Sequence, residues 1–144
     1  MKQLEKNGMT IQWEVKDNRI HFFITAPTHG WVTIGFNERD EITGAYLLMG
    51  RVQNGHPEVV EHFTSSPGNY QPIANFGIPS QTQHITGRET SNRTEIAFSI
   101  PLGAASNYHK DITVRSTWTL IMAYSQEDDF KHHSRMRTSL KITI

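Results

Sequence analysis

The chain has no cysteine, which excludes disulfide bridges, thiolate metal centres and cysteine nucleophiles together. That absence leaves the compartment open, because exported domains also manage without disulfides when their core is large enough. Neither sign of charge is in excess: Lys and Arg total 14, and Asp and Glu total 14. A balanced chain lacks the basic field that draws a protein onto nucleic acid. No run approaches the roughly 18 apolar residues of a membrane span. The opening Met1-Lys2-Gln3-Leu4-Glu5-Lys6 turns polar where a signal peptide would continue apolar, so no leader is expected in this chain. Helical periodicity is missing too. No window of about 11 residues repeats apolar positions at i, i+3, i+4 and i+7. Catalytic signatures are equally absent: there is no Gly-X-Ser-X-Gly elbow, no phosphate-binding loop and no His-Glu-X-X-His. No carboxylate pair stands out as acid and base, so the expectation is a protein that is not an enzyme.

What is present is a period of two. Ile11, Trp13 and Val15 alternate with Thr10, Gln12 and Glu14, the pattern of a half-buried strand. After the polar break Lys16-Asp17-Asn18, Ile20, Phe22, Ile24 and Ala26 alternate with Arg19, His21, Phe23 and Thr25, which predicts a hairpin. Further strands are expected over 31–36, 45–52, 58–63, 83–90, 93–100, 117–124 and 139–144. Asn54-Gly55 between two of them is a strong type I′ turn signal, and Ser91-Asn92 marks another hairpin. Thr64 to Pro79, with three prolines and two glycines, and the polar stretch Gly103 to Asp111 are expected as long loops. With 144 residues, the chain suits one domain over 1–144, and a chain near that length buries about 70% of its unfolded surface. Eight or nine short strands without helices predict an all-β, antiparallel β-sandwich.

Several segments resemble the DOMON family. Leu4 to Val15 followed by Arg19 to Ala26 is similar to its opening strands. Gly30-Trp31-Val32-Thr33-Ile34-Gly35-Phe36-Asn37 resembles the family's Gly-Trp-X-X-Ile-Gly-Phe segment. Thr43-Gly44-Ala45 sits where many members carry Met-X-Gly-Ala-Asp, Trp118 to Tyr124 resembles the late core strand, and His133-Ser134-Arg135-Met136-Arg137 fits a His-X-X-X-Arg segment. The resemblance implies a DOMON-like β-sandwich found outside the cytoplasm (periplasmic or secreted). Such modules bind a small-molecule ligand, either haem b for electron transfer to a redox partner protein or a carbohydrate. A third option is a ligand-free sandwich used for protein interaction.

By that resemblance His133 is the axial histidine, the expected metal ligand to haem iron. The matching methionine position is Ile42, which has no donor atom, and Tyr46 replaces the family's acid after Gly-Ala. Met49 is the nearest substitute thioether, although methionine serves as commonly to fill a core. Trp31 is expected to wall the pocket or stack on a ligand, against the plainer reading that strand tryptophans pack inside. Tyr46 is expected beside the pocket, where a phenol bonds a sugar hydroxyl or ligates ferric iron. His132 and His133 are adjacent, so on a strand they would face opposite ways, and only a loop lets both enter one pocket. The acidic run Glu127-Asp128-Asp129 lacks the spacing of a calcium loop and is expected to be a solvated turn.

Overall fold

A computed structural model describes residues 1–144. In chain order its elements are β1 (Lys2–Lys6), β2 (Met9–Lys16), β3 (Arg19–Ala26), β4 (Val32–Asn37), β5 (Tyr46–Gln53), β6 (His56–Ser66), β7 (Asn69–Pro72), a 3-10 turn (Ile73–Phe76), β8 (Gln83–Thr90), β9 (Arg93–Pro101), β10 (Thr117–Tyr124) and β11 (Met136–Thr143). They build two antiparallel sheets, β1-β2-β3-β9-β8 and β11-β10-β4-β5-β6-β7, packed as an all-β sandwich.

Turn chemistry explains the tight corners. Asn7-Gly8, Asp17-Asn18 and Asn54-Gly55 all have positive φ at both positions, and each closes a two-residue loop between paired strands. That is the type I′ geometry, whose twist matches the flanking strands. Gly55 has φ 78 and no atom near its Cβ position, so a side chain there meets backbone strain and nothing else. Gly55→Val should therefore lower stability by about 1 kcal/mol, a melting shift of roughly 2–4 °C. An unchanged melting temperature would mean the turn does not need its left-handed residue.

Eleven strands form where nine were expected. β1 pairs with β2 across Asn7-Gly8, a corner hidden within the stretch from Leu4 to Val15. The segment from Thr64 to Pro79 is not one loop: β6 runs on to Ser66, Pro67-Gly68 turns the chain, and β7 pairs back. Gly68 has φ 76, the signature of Pro-Gly at the centre of a type II turn.

Inward residues of the two sheets meet in one core. Ile11, Trp13, Ile20, Phe22, Ile24, Ile96 and Phe98 from the first sheet pack on Ile34, Phe36, Tyr46, Leu48, Trp118, Leu120 and Met122 from the second. The six-stranded sheet departs from the usual sandwich, whose outer face is wet. Trp31, just before β4, together with Leu47 and Met49 of β5 and Ile121 and Ala123 of β10, forms a second buried cluster on its outer face, capped by Phe130.

Candidate ligand-binding cavity

Alternation along the central strands supplies the floor of the site. Because Val32, Ile34 and Phe36 point into the sandwich, Trp31, Thr33 and Gly35 point out, and β5 and β10 obey the same rule. Over this floor pass two loops, one preceding β5 and one joining β10 to β11. Between them lies a cavity of about 210 Å³ lined by Trp31, Thr33, Ile42, Leu47, Met49, Gly68, Tyr70, Ile121, Ala123, Lys131, His133, Ser134 and Arg137.

The β10–β11 loop is held down in detail. The Trp31 amide donates to the Glu127 carbonyl, the Ser125 amide donates to the Trp31 carbonyl, and Ser125 Oγ donates to the His133 carbonyl at 3.0 Å. Phe130 plugs the end of the floor, with the Arg51 guanidinium 4.1 Å from its ring centre and the Tyr70 hydroxyl donating to its carbonyl. The acidic run is therefore more than a solvated turn. Glu127 and Asp129 are exposed, but Asp128 is half-buried, and the Glu127, Asp128 and Asp129 carbonyls receive Trp31, Arg51 and His132. Burial pushes the Asp128 carboxyl up, against the pull of the Arg51 charge.

The structure brings His133, Met49 and Trp31 to this one cavity, with Ile42 also on its wall. His133 lies on the irregular loop rather than on a strand, exposed at the rim. Met49 is 2% exposed in the floor. Tyr46 does not join them. It neighbours Leu47 on β5, so its side chain faces the opposite side, inside the sandwich, where its hydroxyl donates to Glu61 Oε1 at 2.5 Å. Ile34, on the inward set of β4, faces the core for the same reason. Trp31 is 3% exposed, so its ring is floor and not a free stacking platform.

Three features of the cavity were not anticipated. Trp31 Nε1 and Thr33 Oγ1 are buried without a hydrogen-bond partner, which is costly unless something in the cavity pairs with them. The charged residues among the lining are Lys131 and Arg137, both cations, with no Asp or Glu. His62, opposite Leu47 on the same outer face, lies beside the floor, 2% exposed and edge-on to Tyr70 and Phe130. Its Nδ1 donates to the Val60 carbonyl at 3.0 Å.

Burial lowers the His62 pKa, the Arg51 charge adds to the lowering, and the Val60 bond opposes it. Unfolded His62 takes its proton near the ordinary value of about 6.5, whereas the folded ring takes it only at lower pH. Between those points the unfolded chain holds more protons, so stability falls as pH falls below about 6.5. The difference in melting temperature between about pH 7 and about pH 5 should shrink in His62→Phe. An equal pH dependence in both proteins would show that His62 does not contribute.

The architecture matches solved structures closely enough to define a class. The cytochrome domain of Myriococcum thermophilum cellobiose dehydrogenase superposes with a TM-score of 0.68, covering 99% of this chain and 81% of that one at 9% identity. The cytochrome b domain of pyranose dehydrogenase from Coprinopsis cinerea superposes with a TM-score of 0.66, covering 94% and 75% at 10% identity. The molecule is thus a β-sandwich with the fold of these cytochrome domains. A sequence model of the DOMON domain matches residues 5–125, and the chain belongs to the DOMON family. The matched range ends before His133.

Among full-length relatives, DBH-like monooxygenase protein 1 of Mus musculus is 28% identical over 119 residues, 82% of this chain and 18% of that protein. The Homo sapiens protein of the same name is 29% identical over 117 residues, 81% and 18%. MOXD1 homolog 2 of Drosophila melanogaster is 26% identical over 119 residues, 82% and 15%. The chain spans less than a fifth of the length of these relatives. No helix is long and apolar enough to cross a membrane.

Proposed function

We propose that the domain is a non-catalytic, extracytoplasmic ligand-binding module whose cavity takes haem b for electron transfer to a redox partner protein. The observation that carries this reading is the meeting of His133, Met49 and a purely cationic pair, Lys131 and Arg137, over one apolar floor. An imidazole and a thioether are the donor set that haem iron accepts in electron-transfer proteins. Lys131 and Arg137 suit the two carboxylates of a porphyrin. Bound haem would supply one-electron exchange. The protein's own residues supply the iron ligand, a dry wall from Ile42, Leu47 and Ile121, and the charge pairing at the rim.

Size sets a condition on this reading. A cavity of about 210 Å³ is smaller than the roughly 300–1,000 Å³ of ordinary ligand sites. A porphyrin would need the strap from Lys131 to Arg135, exposed throughout, to move outward. The carbohydrate alternative loses its contacts here. The Tyr46 hydroxyl is committed to Glu61, the Trp31 face is covered, and the lining has no carboxylate or amide side chain.

The test is titration of the protein with haemin. Wild type should take up one equivalent at micromolar concentration, and His133→Ala should weaken uptake at least about tenfold, as expected for loss of a metal contact. Met49→Leu should turn a low-spin spectrum high-spin and open the reduced iron to carbon monoxide. No uptake by wild type, or equal uptake by His133→Ala, would sink the haem reading and favour the interaction sandwich.

A further inference from the structure

The opposite side of the molecule, the outer face of the five-stranded sheet, carries a second constellation unrelated to the cavity. His21 on β3 and His84 on β8 approach across β9, with ring centres 5.6 Å apart and planes tilted by 34°. His21 Nε2 is buried and has no hydrogen-bond partner. His84 sits at φ 57, at the irregularity where the β8–β9 register shifts between Gln83 and Thr86. A histidine in the left-handed region is uncommon, and such strain gathers at functional positions.

Ser99, between the two rings, holds His84 through Nδ1 and leaves Nε2 without a partner on that residue. Ser99 Oγ has one hydrogen and two lone pairs. The Arg19 Nε–H must donate to it, at 2.8 Å, and the Gln83 carbonyl can only accept from it, at 3.4 Å. The hydroxyl hydrogen goes either to Gln83 or to the nearer His84 Nδ1, 2.8 Å away, and when Gln83 takes it Nδ1 is the donor. In that tautomer His84 Nε2 carries the ring's lone pair. An imidazole whose other nitrogen is fixed by a hydrogen bond is the usual form of a metal ligand.

We propose that His21 and His84 form a binding site for a divalent transition-metal ion of the imidazole-preferring class, such as Zn²⁺ or Cu²⁺. With a metal–nitrogen bond of about 2.0–2.1 Å, two imidazoles at a tetrahedral angle have ring centres about 5.2 Å apart. The observed 5.6 Å needs only a small adjustment. No group of three ligating side chains is already assembled in the structure. The nearest source of a third is Glu14, directly opposite His21 in the β2–β3 register, on the same face and exposed, so a rotamer change brings its carboxylate to the pair. Arg19, the cation on this face that touches Ser99, is held by Ser99 and the Gln81 carbonyl. The Glu14 carboxylate offsets its charge.

Calorimetric titration of chelator-stripped protein with Zn²⁺ at neutral pH decides the matter. One equivalent should bind, and the melting temperature should rise with Zn²⁺ concentration, because an ion that binds only the folded chain stabilises it. His21→Gln and His84→Asn should each weaken binding at least about tenfold and lose the thermal shift. Asparagine tolerates positive φ, so His84→Asn should fold, and its metal-free melting temperature checks that. His133→Ala should bind Zn²⁺ like wild type, which separates this site from the cavity. Undiminished binding in both sheet variants, loss of binding in His133→Ala, or no binding at micromolar Zn²⁺ would each overturn the proposal.

Discussion

Replacing Glu61 with alanine should lower the unfolding free energy by about 3–5 kcal/mol, the usual cost of removing one member of a buried charged network. Glu61 is 2% exposed on the inward face of β6. Its Oε1 accepts the Tyr46 hydroxyl at 2.5 Å and lies 3.2 Å from His109 Nε2, while Oε2 accepts the Gln81 amide at 2.7 Å. Ser106 Oγ lies 2.7 Å from His109 Nδ1. His109 donates from Nε2 to the Glu61 carboxylate, and the Ser106 hydroxyl holds its Nδ1. One carboxylate thus ties the loop from Gly103 to Asp111 and the stretch before β8 to the six-stranded sheet. Burial, and after it the Glu61 charge, pushes the Tyr46 phenol well above its ordinary range, so that hydroxyl stays a donor. Alanine leaves Tyr46, His109 and the Gln81 amide without an acceptor. Urea denaturation should show a lower midpoint, with melting reduced by roughly 10 °C. Glu61→Gln should cost less, because Oε1 survives and only the Gln81 bond must be lost. A loss under about 1 kcal/mol for the alanine variant would mean water replaces the carboxylate freely.

The sandwich was legible because alternation is local. Ile11-Gln12-Trp13 and Ile20-His21-Phe22 declare a buried and an exposed face without knowledge of any partner strand. Asn54-Gly55 declared its own turn. Asn7-Gly8 carried the same chemistry and the same positive φ pair, yet stayed hidden because β1 has one apolar residue, Leu4, and no alternation to flag it. β7 was masked by prolines, which sit comfortably on this edge strand.

The cavity was half legible. Its floor is written in the runs Tyr46-Leu47-Leu48-Met49 and Leu120-Ile121-Met122-Ala123, where both faces are apolar, a pattern that signals burial on both sides of a sheet. Tyr46 shows how narrow such inference is. A step of one residue moves a side chain through the sheet, and a position beside the pocket in sequence became one inside the core. The Tyr46–Glu61–His109 network had no sequence signal. Its members are 15 and 48 positions apart, and nothing local marks a carboxylate as buried.

Gly30→Ala should cost about 3 kcal/mol, at the upper end for one added methyl in a packed site, and it should also disturb the cavity. A Cβ on Gly30 would collide with the Ser125 carbonyl and lie 2.5 Å from the Glu127 nitrogen and 2.6 Å from the Gln126 carbonyl carbon. All three are backbone atoms, so no side chain can rotate away. Relief requires residues 125–127 to move outward, which breaks the paired bonds between Trp31 and residues 125 and 127, and the bond from Thr28 Oγ1 to the Ser125 carbonyl at 2.5 Å. Because Ser125 Oγ also holds the His133 carbonyl, the imidazole at the cavity rim shifts with them. Gly35 provides the internal comparison. Its Cβ would meet Leu47 Cδ2 at 2.5 Å, the end of a flexible side chain, and the Tyr46 carbonyl at 3.2 Å. Gly35→Ala should therefore cost only about 1–2 kcal/mol and narrow the floor without moving the rim. Thermal melts of the two variants, with haemin titrations alongside, read both effects. If Gly35→Ala proves the more damaging, or Gly30→Ala melts like wild type, the close approach of the two backbones is not what positions His133.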